Sequence, residues 1–467
     1  MLGLGLTGCQ ADIDAPGAST GTANFSRYIA VGNSLTAGYG DNGLYLDGQV
    51  NSYPSMLAQQ FAAAGGGSFT QPLFTTAQSN GSGYLRLAGF TATGAPITAA
   101  VATNLAVRTT TPQTLYTKYT DAINNLGVPG IKLADIQTPG YGSVQGNPFF
   151  ERITPDNTPT QTYFQRIKAE AATATFFSCW LGNNDVLGYA TAGGAVASSS
   201  ITRTDTFNLK AVRIINALTS TGAKGVVSNI PDVTGIPFFT TVGPSARASF
   251  AAANVPTAAP FVYTTGVLAP GAANTRVTTA TLGDIRAAGV GTLLLTLTSS
   301  PYIGLYGQPT GRYWRDFYRQ ATGSAPTGPV FGGFLTALGV DTTRAFGQST
   351  LNPFPSTLVL DATEQAAVAA ATTAFNSSLQ AAATAKGLAY FDANSFFRGI
   401  ASGTSVYNSV NNSASFITGN LFSLDGVHPT PRGYALVANG IIRAINTTYG
   451  STIQPVNPTN YRGVLFP

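Results

Sequence analysis

The chain has 467 residues, enough for a sizeable core, with 44% hydrophobic and only 9% charged residues, so its surface must be built from Thr, Ser, Asn, Gln and Gly rather than from ion pairs. That balance points to an extracytoplasmic protein. Its net charge of +5 comes from 24 Lys and Arg scattered singly, which leaves no basic run to track a phosphate backbone and argues against a nucleic-acid partner.

In chain order, the first feature is Leu6-Thr7-Gly8-Cys9, which resembles a bacterial lipobox, with Cys9 as the acylated residue. Eight preceding residues are too few for a complete signal peptide, so the start of the sequence is expected to be truncated. An anchor at Cys9 would place the protein on an outer membrane or cell surface; without it the protein would be periplasmic or secreted. Membrane contact is expected only through that anchor, because no stretch approaches the roughly 20 consecutive apolar residues of a membrane-spanning helix. Residues 1–24 read as the lipobox remnant and a small, polar tether. Within it "GASTG" fits the G-x-S-x-G elbow, but Ser19 has no strand before it and the match is read as chance.

The first strand is Tyr28 to Val31, and it turns at Gly32-Asn33-Ser34 into a new pattern. A helix is expected over Tyr53 to Ala64, stopping at the glycines 65 to 67, and a second strand in "AINNLGVPG". "TYFQRIKAEAAT" reads as a helix and "ATFFSCWLGNND" as a buried strand running into a polar turn. Cys179 lies in that strand, so a disulfide to Cys9 is not expected. A helix around Thr206 to Thr219 and the strand "KGVVSNIPD" follow. Asp361 to Lys386 is the longest helical candidate, with Asp361 and Glu364 as a capping box and Gly387 as its stop. It leads into the strand "LAYFDAN", and a last helix spans about Tyr434 to Asn446. This alternation predicts an α/β fold with a mainly parallel sheet. Residues 66–118 and 233–360, rich in Thr, Gly, Pro and aromatics, break the rhythm and read as two large insertions.

Only one histidine occurs in the chain, His428, three residues after Asp425. Imidazole titrates near neutrality, and a carboxylate on one ring nitrogen fixes its tautomer, so the pair suits general-base work. A lone His near a helix start is equally well a cap. A serine such as Ser34 needs a base to take its proton and donors for the developing oxyanion. Its own N–H, Gly130 in "LGVPGIK" and Asn184 in "LGNNDVLG" stand after strands, where turns of a parallel sheet converge. Singly, each is more often a turn former. With one histidine and two unrelated cysteines, no zinc site of the common His/Cys type can be assembled, and there is no phosphate loop or dinucleotide fingerprint. No cofactor and no metal are expected.

The blocks "VGNSLTAG", "NLGVPG", "GNND" and "DGVH" resemble those of the GDSL or SGNH hydrolases, serine esterases and lipases. The resemblance covers roughly residues 25–64, 119–235 and 361–446. It implies a flavodoxin-like three-layer α/β/α sandwich; a single domain over 25–450 with a C-terminal extension at 451–467, and a monomer, are expected. It also implies Ser34 as nucleophile, Asp425 and His428 as its partners, an oxyanion hole of Ser34, Gly130 and Asn184, and support from Asp185 and Asn33. Asn33 stands where the family more often has Asp, and Gly127 is the alternative to Gly130. The implied substrate is an ester: a lipid, a small ester or an acylated glycan. A carbohydrate acetyl esterase, and a glycan- or lipid-binding surface lipoprotein on a hydrolase scaffold, are the competing functions.

Overall fold

The computed structural model describes residues 17–91, 96–269, 276–402, 405–407 and 410–467. Five short apolar segments become strands: β1 (Tyr28–Gly32), β2 (Asn125–Gly127), β3 (Phe176–Trp180), β4 (Lys224–Ser228) and β5 (Ala389–Phe391). They form one sheet in the order β5-β4-β3-β1-β2. All four pairings are parallel, as connections through helices require. The order reverses beside β1, and the carboxyl edge at such a point is where open α/β sheets hold ligands.

The helices that matter here are α1 (Ser34–Ala37), α2 (Tyr53–Ala62), α3 (Tyr163–Ala171), α4 (Asn184–Thr191), α5 (Thr204–Leu218), α6 (Ala362–Thr384) and α7 (Pro431–Tyr449). Successive strand residues point to opposite faces, and two cores result. Ile29, Val31, Phe177, Cys179 and Val227 pack with Ile167 of α3, Phe207 and Ile214 of α5, and Phe375 of α6. Tyr28, Ala30, Phe176, Trp180 and Val226 pack with Met56, Leu57 and Phe61 of α2 and with Val437, Ile441 and Ile445 of α7. The expected helix over Tyr53 to Ala64 ends two residues early, ahead of Gly65 with φ +78°. The last helix is longer than expected at both ends. Thr430 caps it by accepting the Gly433 N–H at 3.1 Å, Pro431 occupies the first turn, and Gly450 closes it in the left-handed conformation.

Two long stretches outside the sheet carry structure of their own. Tyr84–Phe90 and Pro96–Val101 form an antiparallel hairpin. Between β4 and α6, Val242, Phe250, Phe261, Trp314 and Phe354 gather a separate core, in which the Trp314 indole N–H donates to Asn352 Oδ1 at 2.9 Å.

The chain ends behave differently. Cys9 lies outside the described residues, but residues 17–24, read from the sequence as tether, are docked on the body: the Thr22 N–H donates to the Tyr449 carbonyl at 2.9 Å, the Ser19 N–H to Thr452 Oγ1 at 2.9 Å, and Ala23 is buried. After α7 the chain runs back along that helix. Asn446 Nδ2 donates to the Ile453 carbonyl, Asn439 Nδ2 to the Val456 carbonyl and Arg432 Nε to the Tyr461 carbonyl.

Candidate active site

The turn after β1 is shaped by contact. A Cβ on Gly32 would lie 2.0 Å from Thr36 Oγ1 and 2.8 Å from the Trp180 carbonyl, so only glycine lets the chain fold back into α1 there. The buried Tyr163 hydroxyl seals the turn from below, donating to the Leu126 carbonyl at 2.6 Å and accepting the Gly32 N–H at 3.1 Å. Asn33 caps α1 through Oδ1, which accepts the Leu35 N–H at 3.0 Å. The site where the family more often carries an acid thus keeps its bond within the turn. Its Nδ2 is buried without a partner among the described residues.

Ser34, only 7% exposed, opens α1 at the carboxyl edge of the sheet. His428 reaches it from the loop ahead of α7, with Nε2 2.9 Å from Ser34 Oγ. On the other side of the ring, Nδ1 is 2.9 Å from Asp425 Oδ2. Asp425 accepts much more than this one bond. Its Oδ1 takes the N–H groups of Val427 and His428, both at 2.8 Å, and the Ser423 hydroxyl at 3.1 Å. Its Oδ2 also takes the Asn42 N–H at 3.0 Å. Burial pushes the Asp425 carboxyl up, but the facing His428 charge and these hydrogen bonds outweigh it and hold it down at about 2. An acceptor-only carboxylate assigns the Nδ1 proton to His428, so that Nε2 faces Ser34 as an acceptor. The Tyr39 ring packs on the imidazole at 4.8 Å between centroids.

The other predicted residues come to the same edge. Asn184, at the start of α4, donates from Nδ2 to the Ile131 carbonyl at 2.9 Å, which ties the turn after β3 to the residue next to Gly130. Gly130 has φ +82°, which favours glycine, whereas Gly127 lies inside β2 where a Cβ would strike Ala37 N at 2.4 Å. Of the two, Gly130 is the one on the turn. The backbone N–H groups of Ser34 and Gly130 donate to no acceptor among the described residues, and the Asn184 amide keeps a second N–H. Asp185 faces the other way. Its Oδ2 accepts the Leu133 N–H at 2.6 Å, and its Oδ1 accepts the Ala134 N–H at 3.2 Å and the Thr202 hydroxyl at 2.7 Å. Burial pushes its carboxyl up to about 6 against those bonds. It pins the segment that follows Gly130.

Ser34, Asn184 and His428 line a cleft of about 480 Å³, including its open mouth. Its wall is mostly apolar: Leu35, Leu187, Val233, Ile236, Phe397 and Phe422. Asn183 also lines it and holds a buried Oδ1 with no partner among the described residues. Ser19 of the G-x-S-x-G match is bonded to Thr452, just after α7, and does not line the cleft. No cluster of three His, Cys, Asp or Glu that could hold a metal occurs among the described residues.

Sequence reasoning missed Asp41, Asn42, Ser423 and Tyr39. The only local signal was "GDNG", which reads as a turn; its contact with Asp425 is tertiary.

No curated protein matches the chain. The model of the family GDSL-like Lipase/Acylhydrolase matches residues 308–441. That segment contains Asp425 and His428, whereas Ser34, Gly130 and Asn184 lie outside it. By this match the chain carries a GDSL-like lipase/acylhydrolase region, which points to ester hydrolysis in general.

Proposed function

We propose that the chain is a serine-dependent carboxylic-ester hydrolase that works through an acyl-enzyme on a flavodoxin-like three-layer scaffold, with 66–118 and 233–360 as insertions. One observation carries the reading: the only histidine of the chain bridges Asp425 and Ser34 at 2.9 Å on each ring nitrogen. Ser34 Oγ attacks the ester carbonyl as its proton passes to His428 Nε2, and Asp425 stabilises the imidazolium. The carbonyl oxygen becomes an oxyanion met by the Ser34 and Gly130 N–H groups and the Asn184 amide. His428 gives its proton to the leaving alcohol. Water, deprotonated by the same nitrogen, then cleaves the acyl-enzyme, releasing the acid and restoring Ser34. Asn33 and Asp185 hold the turns.

The apolar wall favours an aliphatic acyl group over an acetyl group carried on a glycan. A series of p-nitrophenyl esters of increasing chain length, run beside an acetylated polysaccharide, separates these substrates. Ser34→Ala and His428→Ala should each lower kcat by roughly 10⁴-fold or more. Retention of most activity by His428→Ala sinks the mechanism, since no second histidine can replace it. Failure of a fluorophosphonate to label Ser34 in folded protein would favour a glycan- or lipid-binding role on the same scaffold. Acylation of Cys9, and with it an extracytoplasmic site on a membrane surface, is part of the proposal; metabolic labelling with a fatty acid, lost in Cys9→Ala, tests it.

A further inference from the structure

Asp425 sits on a loop, and a loop holds a catalytic group in place only if something outside it fixes the geometry. The outside support comes from residues 41–42, nearly four hundred positions away in sequence. Asp41 and Asn42 are consecutive non-glycine residues with φ of +52° and +62°, the left-handed region that side chains disfavour. The turn delivers three bonds to the loop. The Asn42 N–H donates to Asp425 Oδ2 at 3.0 Å, the same oxygen that faces the imidazole. The Asp41 N–H donates to Ser423 Oγ at 2.9 Å, whose proton goes on to Asp425 Oδ1. Asp41 Oδ1 accepts the Leu424 N–H at 2.9 Å.

Asp41 is 7% exposed, and both of its carboxylate oxygens are committed. Oδ2 accepts the Tyr45 hydroxyl at 2.7 Å. The Tyr45 hydroxyl oxygen in turn accepts a hydrogen bond from Arg462 Nη2 at 3.0 Å, and Arg462 is held by two bonds to Asp47 Oδ2. The Leu85 N–H of the hairpin donates to the Asp41 carbonyl at 2.7 Å. The Asp41 carboxylate thus joins the 423–425 loop to Tyr45, the hairpin holds its main-chain carbonyl, and none of these bonds involves Ser34 or His428.

We propose that Asp41 is a positioning residue for the proposed active site: it clamps the 41–42 turn against the 423–425 loop and thereby fixes the Asp425 carboxylate that orients His428. The proposal rests on the ester-hydrolase reading for its kinetic consequence but not for its structural one. His428 is the only histidine in the chain, so the Nδ1–H resonance of protein labelled with ¹⁵N-histidine reports the Asp425 bond without substrate and without assignment.

The experiment compares full-length wild type with Asp41→Ala and Asp41→Asn. Asp41→Ala is expected to lower kcat about ten-fold or more, as small misplacements of catalytic groups do, while KM stays within about two-fold. The Nδ1–H resonance should shift upfield or broaden. Asp41→Asn keeps an oxygen for the Leu424 N–H and should recover most of both. If near-ultraviolet circular dichroism shows that Asp41→Ala does not fold, Tyr45→Phe replaces it; this variant removes the donor to Oδ2, and with it an acceptor for Arg462, keeps the Leu424 bond, and should move the resonance the same way. Folded Asp41→Ala or Tyr45→Phe with a wild-type resonance and wild-type kcat overturns the proposal, and so does a loss confined to KM. An active Ser34→Ala would overturn the hydrolase reading instead, leaving the resonance test intact.

Discussion

Asp425 is a carboxylate with a side chain only 10% exposed, and it stays ionised because the facing His428 charge, together with the donors on its two oxygens, outweighs its burial. The folded group titrates at about 2, whereas an unfolded aspartate titrates near 3.9. Its folded pKa is depressed, so it contributes roughly 2–3 kcal/mol of stability above about pH 4, and that contribution is lost as the pH falls from about 4 through about 2. Asp425→Asn cannot lose it. Urea titrations should therefore show the stability gap between wild type and Asp425→Asn narrowing over that window; a constant gap contradicts the account. The Asp425–His428 pair was legible in the sequence because its two members stand three residues apart. Ser34 was legible because it follows a strand. Asp41 was not, since nothing within its own neighbourhood shows that its bonds run to a loop 383 residues away.

Elements were read more easily where the signal is local. The capping box of α6 is present as expected: the Glu364 N–H donates to Asp361 Oδ1 and the Asp361 N–H to Glu364 Oε2, both at 2.9 Å. The structure adds what the sequence could not. The Thr265 hydroxyl donates to both carboxylates and the Gly266 N–H to Glu364 Oε1, so the box also ties the stretch after β4 to the helix. Burial pushes Glu364 up to about 7. Asp361→Ala removes the cap and this tie, and it should cost about 1–2 kcal/mol, read as a lower urea midpoint. An unchanged urea midpoint would show that the cap is dispensable. The strands were found by their apolar runs, but the lengthening of α7 back to Pro431 and on to Tyr449 depended on Thr430 and Gly450 acting as caps, which a pattern of apolar spacing does not register.

On the scale of the whole molecule, the parallel sheet brings turns separated by hundreds of residues to one edge, which is why motifs quoted from four distant places can be neighbours. The irregular stretches were legible only as interruptions; their own core around Trp314 and Phe354 has no period to reveal it. The two ends of the described chain leave from opposite edges of the sheet. Residues 17–24 dock where the strands begin, with Lys224 of β4 donating to the Thr22 carbonyl at 2.7 Å. The segment after α7 instead returns to the other edge, where Phe466 stacks on Phe90 at 6.2 Å and Phe466 shares a groove with Asp41 and Tyr45. Attachment is therefore not symmetrical. A bead or a fused domain joined at residue 17 holds the molecule at the end of the sheet away from Ser34, whereas the same load after Pro467 adjoins the groove that Asp41 lines. Ester turnover by two fusions of one small domain, one at each end, should show the carboxyl-terminal fusion slowed and the amino-terminal one unaffected; equal rates would contradict this. For immobilising the protein, the amino-terminal side is the handle to use.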